Sequence, residues 1–268
     1  MWMNVSGQAG FTAPDTVCIN DPVNITNTSV GASTYYWNFC GYDLYGTPTL
    51  TDLGNPGGLL YVPTFITIQQ DNGIWYGFVS NFGKNSIVRL TYGSSLLNTP
   101  TAEDLGTFNG VVPQYTEGLQ VVKDENGWHL IVVGGHTTSL ARIIKVDFGS
   151  SLGTAQASLT ATNWGNIGTT LNYPTELTII QEGDEYWGLT VNADDNTVTR
   201  FYFGKNFTNP PTAQNLGNVT GTLNWPSGIY AAKYNNKNYI SFKLANRYYL
   251  HTRPVLYKLK QEQTKGEF

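Results

Sequence analysis

Two glutamates could do chemistry together. Glu117 and Glu176 each follow a threonine, Thr116 and Thr175, at the point where an apolar run begins. Two carboxyl groups near each other can act as general acid and base, or can bind a cation through their oxygens. Without a cation they would repel each other, which would raise the pKa of one of them. We therefore take Glu117 and Glu176 as the candidate ligand-binding residues.

The other candidate motifs are better explained by structure. Gly149-Ser-Ser-Leu-Gly153 fits the G-x-S-x-G pattern, but a nucleophile elbow needs a strand that runs into a helix, and this segment reads as a loop between strands. The three histidines, His129, His136 and His251, lack metal-ligand spacing. Asp194-Asp195-Asn196 has oxygens for calcium, although turn chemistry explains it more simply. We therefore predict no catalytic serine, no metal site and no cofactor.

Several recurring side chains suit packing as well as binding. Arg89, Lys145 and Arg200 recur on one strand of successive repeats, and we expect them to cover the sheet with their stems and to point outward. His129 stands where other copies have an aromatic residue, so we expect it between sheets. The many tyrosines and tryptophans suit carbohydrate stacking, and they equally suit contacts between twisted sheets.

These residues belong to a fourfold repeat. The dipeptides Leu53-Gly54, Leu105-Gly106, Trp164-Gly165 and Leu216-Gly217 are spaced by 52, 59 and 52 residues. The hydroxyl residues Thr64, Thr116, Thr175 and Ser227 have the same spacing. A period of roughly 50 residues indicates a propeller or a solenoid. In this alignment Glu117 and Glu176 are equivalent and begin innermost strands, so we expect them at the mouth of a propeller channel.

Each copy reads as four short strands separated by turn residues. In the third copy the strands are 176–181, 186–192, 197–203 and 213–218, all rich in β-branched and aromatic residues. Such a meander is typical of a propeller blade, so the predicted fold class is an all-β propeller. The absence of helical periodicity excludes a helical solenoid. A β-sandwich is the structural alternative, but it needs about 100 residues for each domain.

The strand of the repeat at which the chain begins and ends predicts how the chain is divided. A third strand is predicted at 35–39 and a fourth near 51–54, three full blades follow, and first and second strands are expected at 226–244. No third strand is expected after Phe242. We favour an arc of a larger propeller over a closed four-bladed ring. The predicted divisions are an N-terminal strap at 1–33, the repeats at 34–250 and a non-repeat charged tail at 251–268.

Composition narrows the function classes. Only 13% of the 268 residues are charged, 29 are glycine and the net charge is −4. This composition is typical of an extracellular β-protein, so we expect a secreted or cell-surface location. The chain has no basic field for nucleic acid and no apolar run that could span a membrane. Cys18 and Cys40 have no metal-type spacing, and we favour a disulfide between them over two free thiols.

The N-terminal segment resembles the first half of a polycystic-kidney-disease (PKD) domain, an immunoglobulin-like sandwich. The matching residues include Val23-Asn-Ile25, Asn27, Ser29 and Tyr36-Trp37 with Phe39. Cys40-Gly41-Tyr42 departs from the Gly-Asp-Gly of that family, and the second half of the sandwich does not follow. We therefore expect only a partial PKD-like strap beside the repeats.

The repeats themselves resemble those of large secreted proteins of Gram-negative bacteria that use type IX secretion. The resemblance rests on the segment 89–100, Arg-Leu-Thr-Tyr-Gly-Ser-Ser-Leu-Leu-Asn-Thr-Pro, and more loosely on 200–204. It implies a surface or secreted protein and no particular reaction.

Taken together, these features favour a non-enzymatic binding or adhesion module that recognises a glycan or a surface protein, and we expect it to be part of a larger protein. One alternative is a propeller enzyme that acts on a polysaccharide or a lactone with its channel-mouth carboxylates. Another is a structural spacer. The enzyme class is the less favoured because Glu117 and Glu176 are its only candidate groups.

Overall fold

A computed structural model describes residues 10–14, 23–30, 51–219, 221–234, 237–246 and 249–257. The chain divides into two compact units, 1–52 and 53–268. In the first unit, strand β1 (Phe11–Thr12) pairs antiparallel with β2 (Thr26–Asn27). Cys18, Cys40 and the predicted strand at 35–39 lie outside the described residues, so the disulfide and the strap remain predictions.

The second unit contains three four-stranded antiparallel sheets, each a meander of consecutive strands. Sheet I holds β3 (Pro63–Asp71), β4 (Ile74–Asn81), β5 (Ser86–Gly93) and β6 (Thr101–Gly106). Sheet II holds β7 (Thr116–Asp124), β8 (Gly127–Gly134), β9 (Arg142–Gly149) and β10 (Thr160–Gly165). Sheet III holds β11 (Pro174–Glu182), β12 (Glu185–Asn192), β13 (Thr197–Gly204) and β14 (Thr212–Asn215). The predicted all-β propeller of four-stranded blades is confirmed.

The observed strands differ from the predicted ones in two places, in sheet IV and at 51–54. Sheet IV contains β15 (Pro226–Tyr234), β16 (Lys237–Asn246) and β17 (Tyr249–Tyr257), which pair in that order. A third strand therefore does follow Phe242, and most of it lies in the segment expected to be a tail. Lys243 pairs with Pro254 in this added strand, although its sequence lacks the aromatic-Gly ending of the other copies. Thr51–Gly54, expected as a strand, has no strand assignment.

The helices among the described residues are single turns of 3-10 helix, at Pro56–Gly58, Phe82–Lys84, Gln156–Ser158 and Ile167–Thr169. None of them is long and apolar enough to cross a membrane.

Hairpin turns explain how short strands follow each other so closely. Between β3 and β4, Asn72 and Gly73 both have positive φ, 50° and 80°, as a two-residue turn of a right-twisted hairpin requires.

The sheets pack face to face, and their first strands β3, β7, β11 and β15 contact one another in order. Apolar side chains fill each interface. Phe78 of sheet I and Phe148 of sheet II are nearly inaccessible to solvent, and their ring centroids lie 5.1 Å apart. Phe201 of sheet III occupies the next interface. Burial of such large side chains stabilises the fold by about 1.5–3 kcal/mol each.

One face of sheet I is not covered by the described residues. Ile66 is 52% exposed, whereas its counterparts Leu119 and Leu177 are 6% and 4% exposed. Those two residues pack against the preceding sheet. The open face is what an arc of blades would leave, and the choice between an arc and a closed ring remains a prediction.

Candidate functional site

The first strand of each of the first three sheets begins with a β-bulge. In β7, Thr116 pairs with Gly134 and Leu119 with Val132, so two residues, Glu117 and Gly118, stand opposite one. In β11 the pairs are Pro174 with Asn192 and Leu177 with Thr190, so Thr175 and Glu176 are the bulged residues. Bulges bend a strand locally and re-aim its side chains, and they are common next to functional sites.

The pairing register shows that Glu117 and Glu176 are not equivalent. Glu117 takes the place that Thr175 has in sheet III, and Glu176 takes the place that Gly118 has in sheet II. The sequence alignment was one residue off, because β11 begins with a proline that β7 lacks. Successive side chains of a strand point in opposite directions, so a shift by one residue separates the two carboxyl groups. Each meets different partners.

Glu117 is buried, with 5% of its surface exposed, and lies between neighbouring repeats. The hydroxyl of Tyr173, from the start of the next repeat, donates a hydrogen bond to its Oε1 at 3.3 Å. Burial raises the pKa of Glu117 to about 7, while hydrogen bonds from Thr64 and Tyr173 oppose the rise. The shift thus comes from desolvation, not from the repulsion between glutamates that the sequence suggested.

A row of aromatic side chains lies beside Glu117, and we call it the aromatic rim. It runs across all four sheets, with centroid distances of 5.0, 5.4, 4.8 and 6.1 Å between consecutive rings. Tyr115 is 39% exposed, and His136 is also exposed. The members in order are Phe82, Tyr115, His136, Tyr173 and Trp225.

The backbone of the rim is strained at three repeats. Tyr115, Tyr173 and Trp225 have φ angles of 53°, 53° and 50°, in the left-handed region where bulky residues are outliers. Each such residue costs about 1–3 kcal/mol and persists only where its surroundings hold it. Asn85 accepts a hydrogen bond from the backbone N–H of Tyr115 at 2.8 Å, and Asn196 accepts one from Trp225 at 2.6 Å. Side-chain amides of the preceding repeat therefore fix the rim.

Glu176 faces sheet IV. Its Oε2 accepts a hydrogen bond from the backbone N–H of Ile229 at 2.7 Å. Burial raises the pKa of Glu176, and the Ile229 N–H and the charge of Lys243 oppose the rise. A cavity of about 270 Å³ opens beside this carboxyl group, lined also by Tyr230 and Lys243. Gly228 keeps this space open, because a Cβ there would lie 2.8 Å from Glu176 Oε2.

The G-x-S-x-G segment has a structural role. It forms the loop between β9 and β10, and Asp71 at the end of β3 binds it. Asp71 Oδ2 accepts hydrogen bonds from the Leu152 N–H at 3.0 Å and the Ser151 hydroxyl at 2.9 Å. Asp124 at the end of β7 likewise accepts from the Phe207 N–H at 2.8 Å, in the loop between β13 and β14. We call each pairing of a strand-end carboxylate with the next sheet's loop a latch; Asp71 forms the first latch and Asp124 the second.

His129 lies between sheets, as predicted, and is part of the second latch. Its Nδ1 lies 2.6 Å from Asp147 Oδ1 and its Nε2 lies 2.9 Å from Asp124 Oδ1. Burial lowers the pKa of His129, but the hydrogen bonds and charges of these two carboxylates outweigh it and raise the pKa. The ring also packs on Phe207, with centroids 5.8 Å apart. A protonated imidazole, which donates from both nitrogens, fits this position.

The recurring cations do not all point outward. Arg89 is only 6% exposed and donates from Nη1 to the carbonyl oxygens of Leu152 and Thr154 in the next sheet, at 2.8 and 2.7 Å. Lys145 is 8% exposed and lies 3.0 Å from Asp147 Oδ1. The expectation of outward-pointing cations is therefore wrong for these two, and Arg200 is exposed as expected. Asp194–Asn196 forms a turn, and the described residues contain no cluster of three metal-ligating side chains.

No protein-family model and no curated protein matches the sequence. Solved structures do match the fold. A thermostable family-43 glycoside hydrolase is 10% identical with a TM-score of 0.46, covering 70% of this chain and 66% of its own. The α-L-arabinanase of Cellvibrio cellulosa is 17% identical with a TM-score of 0.42, over 76% and 75% of the two chains. An exo-1,5-α-L-arabinanase from a bovine ruminal metagenomic library is 16% identical with a TM-score of 0.40, over 73% of each chain.

These matches are to enzymes, and they contradict the expectation of a non-enzymatic binding or adhesion module. At 10–17% identity the likeness concerns the propeller fold alone.

Sequence reasoning found Glu117 and missed the residues around it. Tyr173 and the rest of the aromatic rim were treated as a general richness in aromatics. A local signal was present, because an aromatic residue directly precedes the opening of three first strands, in Tyr115-Thr116, Tyr173-Pro174 and Trp225-Pro226. Its meaning depends on the left-handed backbone at these residues, which the sequence pattern does not show.

Proposed function

We propose that this protein cleaves glycosidic bonds of a polysaccharide, with Glu117 as the general acid. The observation that carries the proposal is a buried carboxyl group with a pKa of about 7, bonded to the Tyr173 hydroxyl beside a row of exposed and half-buried aromatic rings. A general acid works best when its pKa lies near the working pH. Aromatic faces bind the apolar C–H faces of sugar rings.

Glycoside hydrolysis uses a second carboxyl group, which stays ionised and acts as base or nucleophile. We assign this role to Glu176, whose backbone lies against that of Gly118, the residue after Glu117, although the two side chains meet different partners. The Ile229 N–H and the charge of Lys243 both favour its charged form, whereas no cation stabilises a charged Glu117 among the groups that shift its pKa. Two carboxyl groups whose environments differ in this way are the usual basis for separate acid and base roles.

The biological setting in the proposal is extracellular. The low charge content and the resemblance to type IX secreted proteins support it. A secreted protein with this site would act on glycans outside the cell.

Glu117→Gln tests the proposal. The purified protein is incubated with soluble polysaccharides, and new reducing ends are counted. We expect Glu117→Gln to lower the rate by about 10²–10⁴-fold, because Gln cannot donate the proton. The wild-type rate should fall as pH rises through about 7, where Glu117 loses its proton. Glu125→Gln, at an exposed turn, is the matched control and should keep the rate. A folded Glu117→Gln protein with unchanged rate would remove the proposal.

A further inference from the structure

Packing between the sheets does not account for the position of the rings in the aromatic rim. Rings that fill the interfaces between sheets, such as Phe78 and Phe201, are fully buried. Tyr115 and His136 remain exposed although they stack in the same row. Space between sheets therefore does not explain why these rings lie where they do.

The backbone conformation of the rim supports the same conclusion. The residue before the first strand has positive φ in all four repeats, and three of them, with Val62 as the exception, hold a large aromatic residue in this strained position. Strain of this kind clusters at sites that bind ligands, because the fold must hold the side chain in a particular place. Asn85 and Asn196 supply the restraint from the preceding repeats.

The row is also longer than one sugar ring. Five rings follow one another from sheet I to sheet IV, each within 6.1 Å of the next. Glu117 lies along the row and not at its end, because it bonds to Tyr173, the fourth ring. A ligand that covers the row thus extends on both sides of Glu117.

From these observations we infer that the aromatic rim binds an extended glycan chain of three or more sugar units along its length. The inference rests on the proposed function for the identity of the ligand as a glycan. It adds that the substrate is a polymer cut within the chain, because binding on both sides of Glu117 excludes a pocket that holds only the terminal sugar.

The test separates binding from cleavage. Binding of linear arabinan, xylan, mixed-linkage glucan and galactan is measured by affinity electrophoresis with Glu117→Gln, which prevents turnover. Mono- to hexasaccharides of the polymer that binds are then titrated calorimetrically. We expect affinity to increase from the monosaccharide to at least the trisaccharide. Failure of all four polymers to bind, or equal affinity for the monosaccharide and the trisaccharide, would overturn the inference.

The variants Tyr115→Gly and Trp225→Gly distinguish a binding role from a packing role. Glycine tolerates positive φ, so each change relieves strain while it removes a ring. We expect binding to weaken at least tenfold with a melting temperature that stays level or rises. Leu97→Ala, at a residue that is 95% exposed and lies off the rim, is the control and should bind normally. Unchanged binding in both glycine variants would overturn the inference. If the wild-type protein binds glycans through the rim but cleaves none of them, only the proposed function is overturned.

Discussion

The second latch makes stability depend on the proton of His129. This side chain and that of Asp124 are 4% and 0% exposed, and each nitrogen of the ring meets a carboxylate. Deprotonation removes one of the two N–H donors and places a lone pair against a carboxylate oxygen. We expect His129→Gln to lower the free energy of unfolding by about 3 kcal/mol at pH 6, since breaking a buried ion pair costs about 3–5 kcal/mol.

The sign of the pH dependence follows from the direction of the shift. The pKa of His129 is raised in the folded state, so its contribution is complete below about 6.5 and is lost as pH rises through the raised value. In that window the free energy of unfolding falls by up to about 1.4 kcal/mol per pH unit. The pKa of Asp147 is lowered: burial would raise it, but bonds to His129 and Lys145 outweigh burial. Its contribution is therefore lost only at acid pH.

Urea unfolding at pH 6, 7, 8 and 9 measures this directly. The difference in unfolding free energy between wild type and His129→Gln should shrink as pH rises. Titrating groups that do not contact His129 are present in both proteins and cancel in the difference. His136→Gln, at an exposed histidine, should follow the wild-type profile. A difference that stays constant from pH 6 to 9 would refute a charged His129.

Two further predictions concern the first latch. Asp71→Asn should cost about 3 kcal/mol in urea unfolding, because an amide oxygen that accepts from the Leu152 N–H and the Ser151 hydroxyl leaves an NH2 group facing the Trp128 Nε1–H, which Asp71 Oδ1 accepts at 3.0 Å. Asp184→Asn, in an exposed pair with Lys205, should cause no measurable change, and equal losses would argue against the latch. Leu152→Ala should cost about 3 kcal/mol because its side chain is fully buried, whereas Leu96→Ala, at the same place in the preceding repeat but 40% exposed, should cost much less. Similar costs for the two leucines would show that the loop does not depend on the neighbouring sheet.

The repeat was predictable because each copy carries the residue types that turns and strands require. Turn residues and alternating β-branched residues recur in each copy, so the four-stranded sheets follow from sequence. The third strand of sheet IV was not predictable in the same way. Tyr249–Tyr257 pairs through its backbone with β16, and it lacks the aromatic-Gly ending used to recognise third strands.

The site was predictable only in part. Glu117 was found by position, but its supposed equivalence with Glu176 failed because Pro174, and not Thr175, takes the paired place of Thr116 before the bulge. Arg89 shows the same limit. Its recurrence looked like a surface pattern, while its actual partners are carbonyl oxygens 63 and 65 residues further along the chain.

The latch has a direction, and this bears on how such a chain can change in length. One sheet supplies the carboxylate and the next supplies the loop, as Asp71 does with Leu152 and Asp124 with Phe207. The contact is therefore heterologous: a unit offers a different surface at its front and at its back. A duplicated unit carries both surfaces with it, so each new contact again brings a carboxylate end against a loop end. Tandem duplication of whole repeats thus keeps this polarity at every interface, whereas recombination within a repeat separates an acceptor from the surface that it was built to meet.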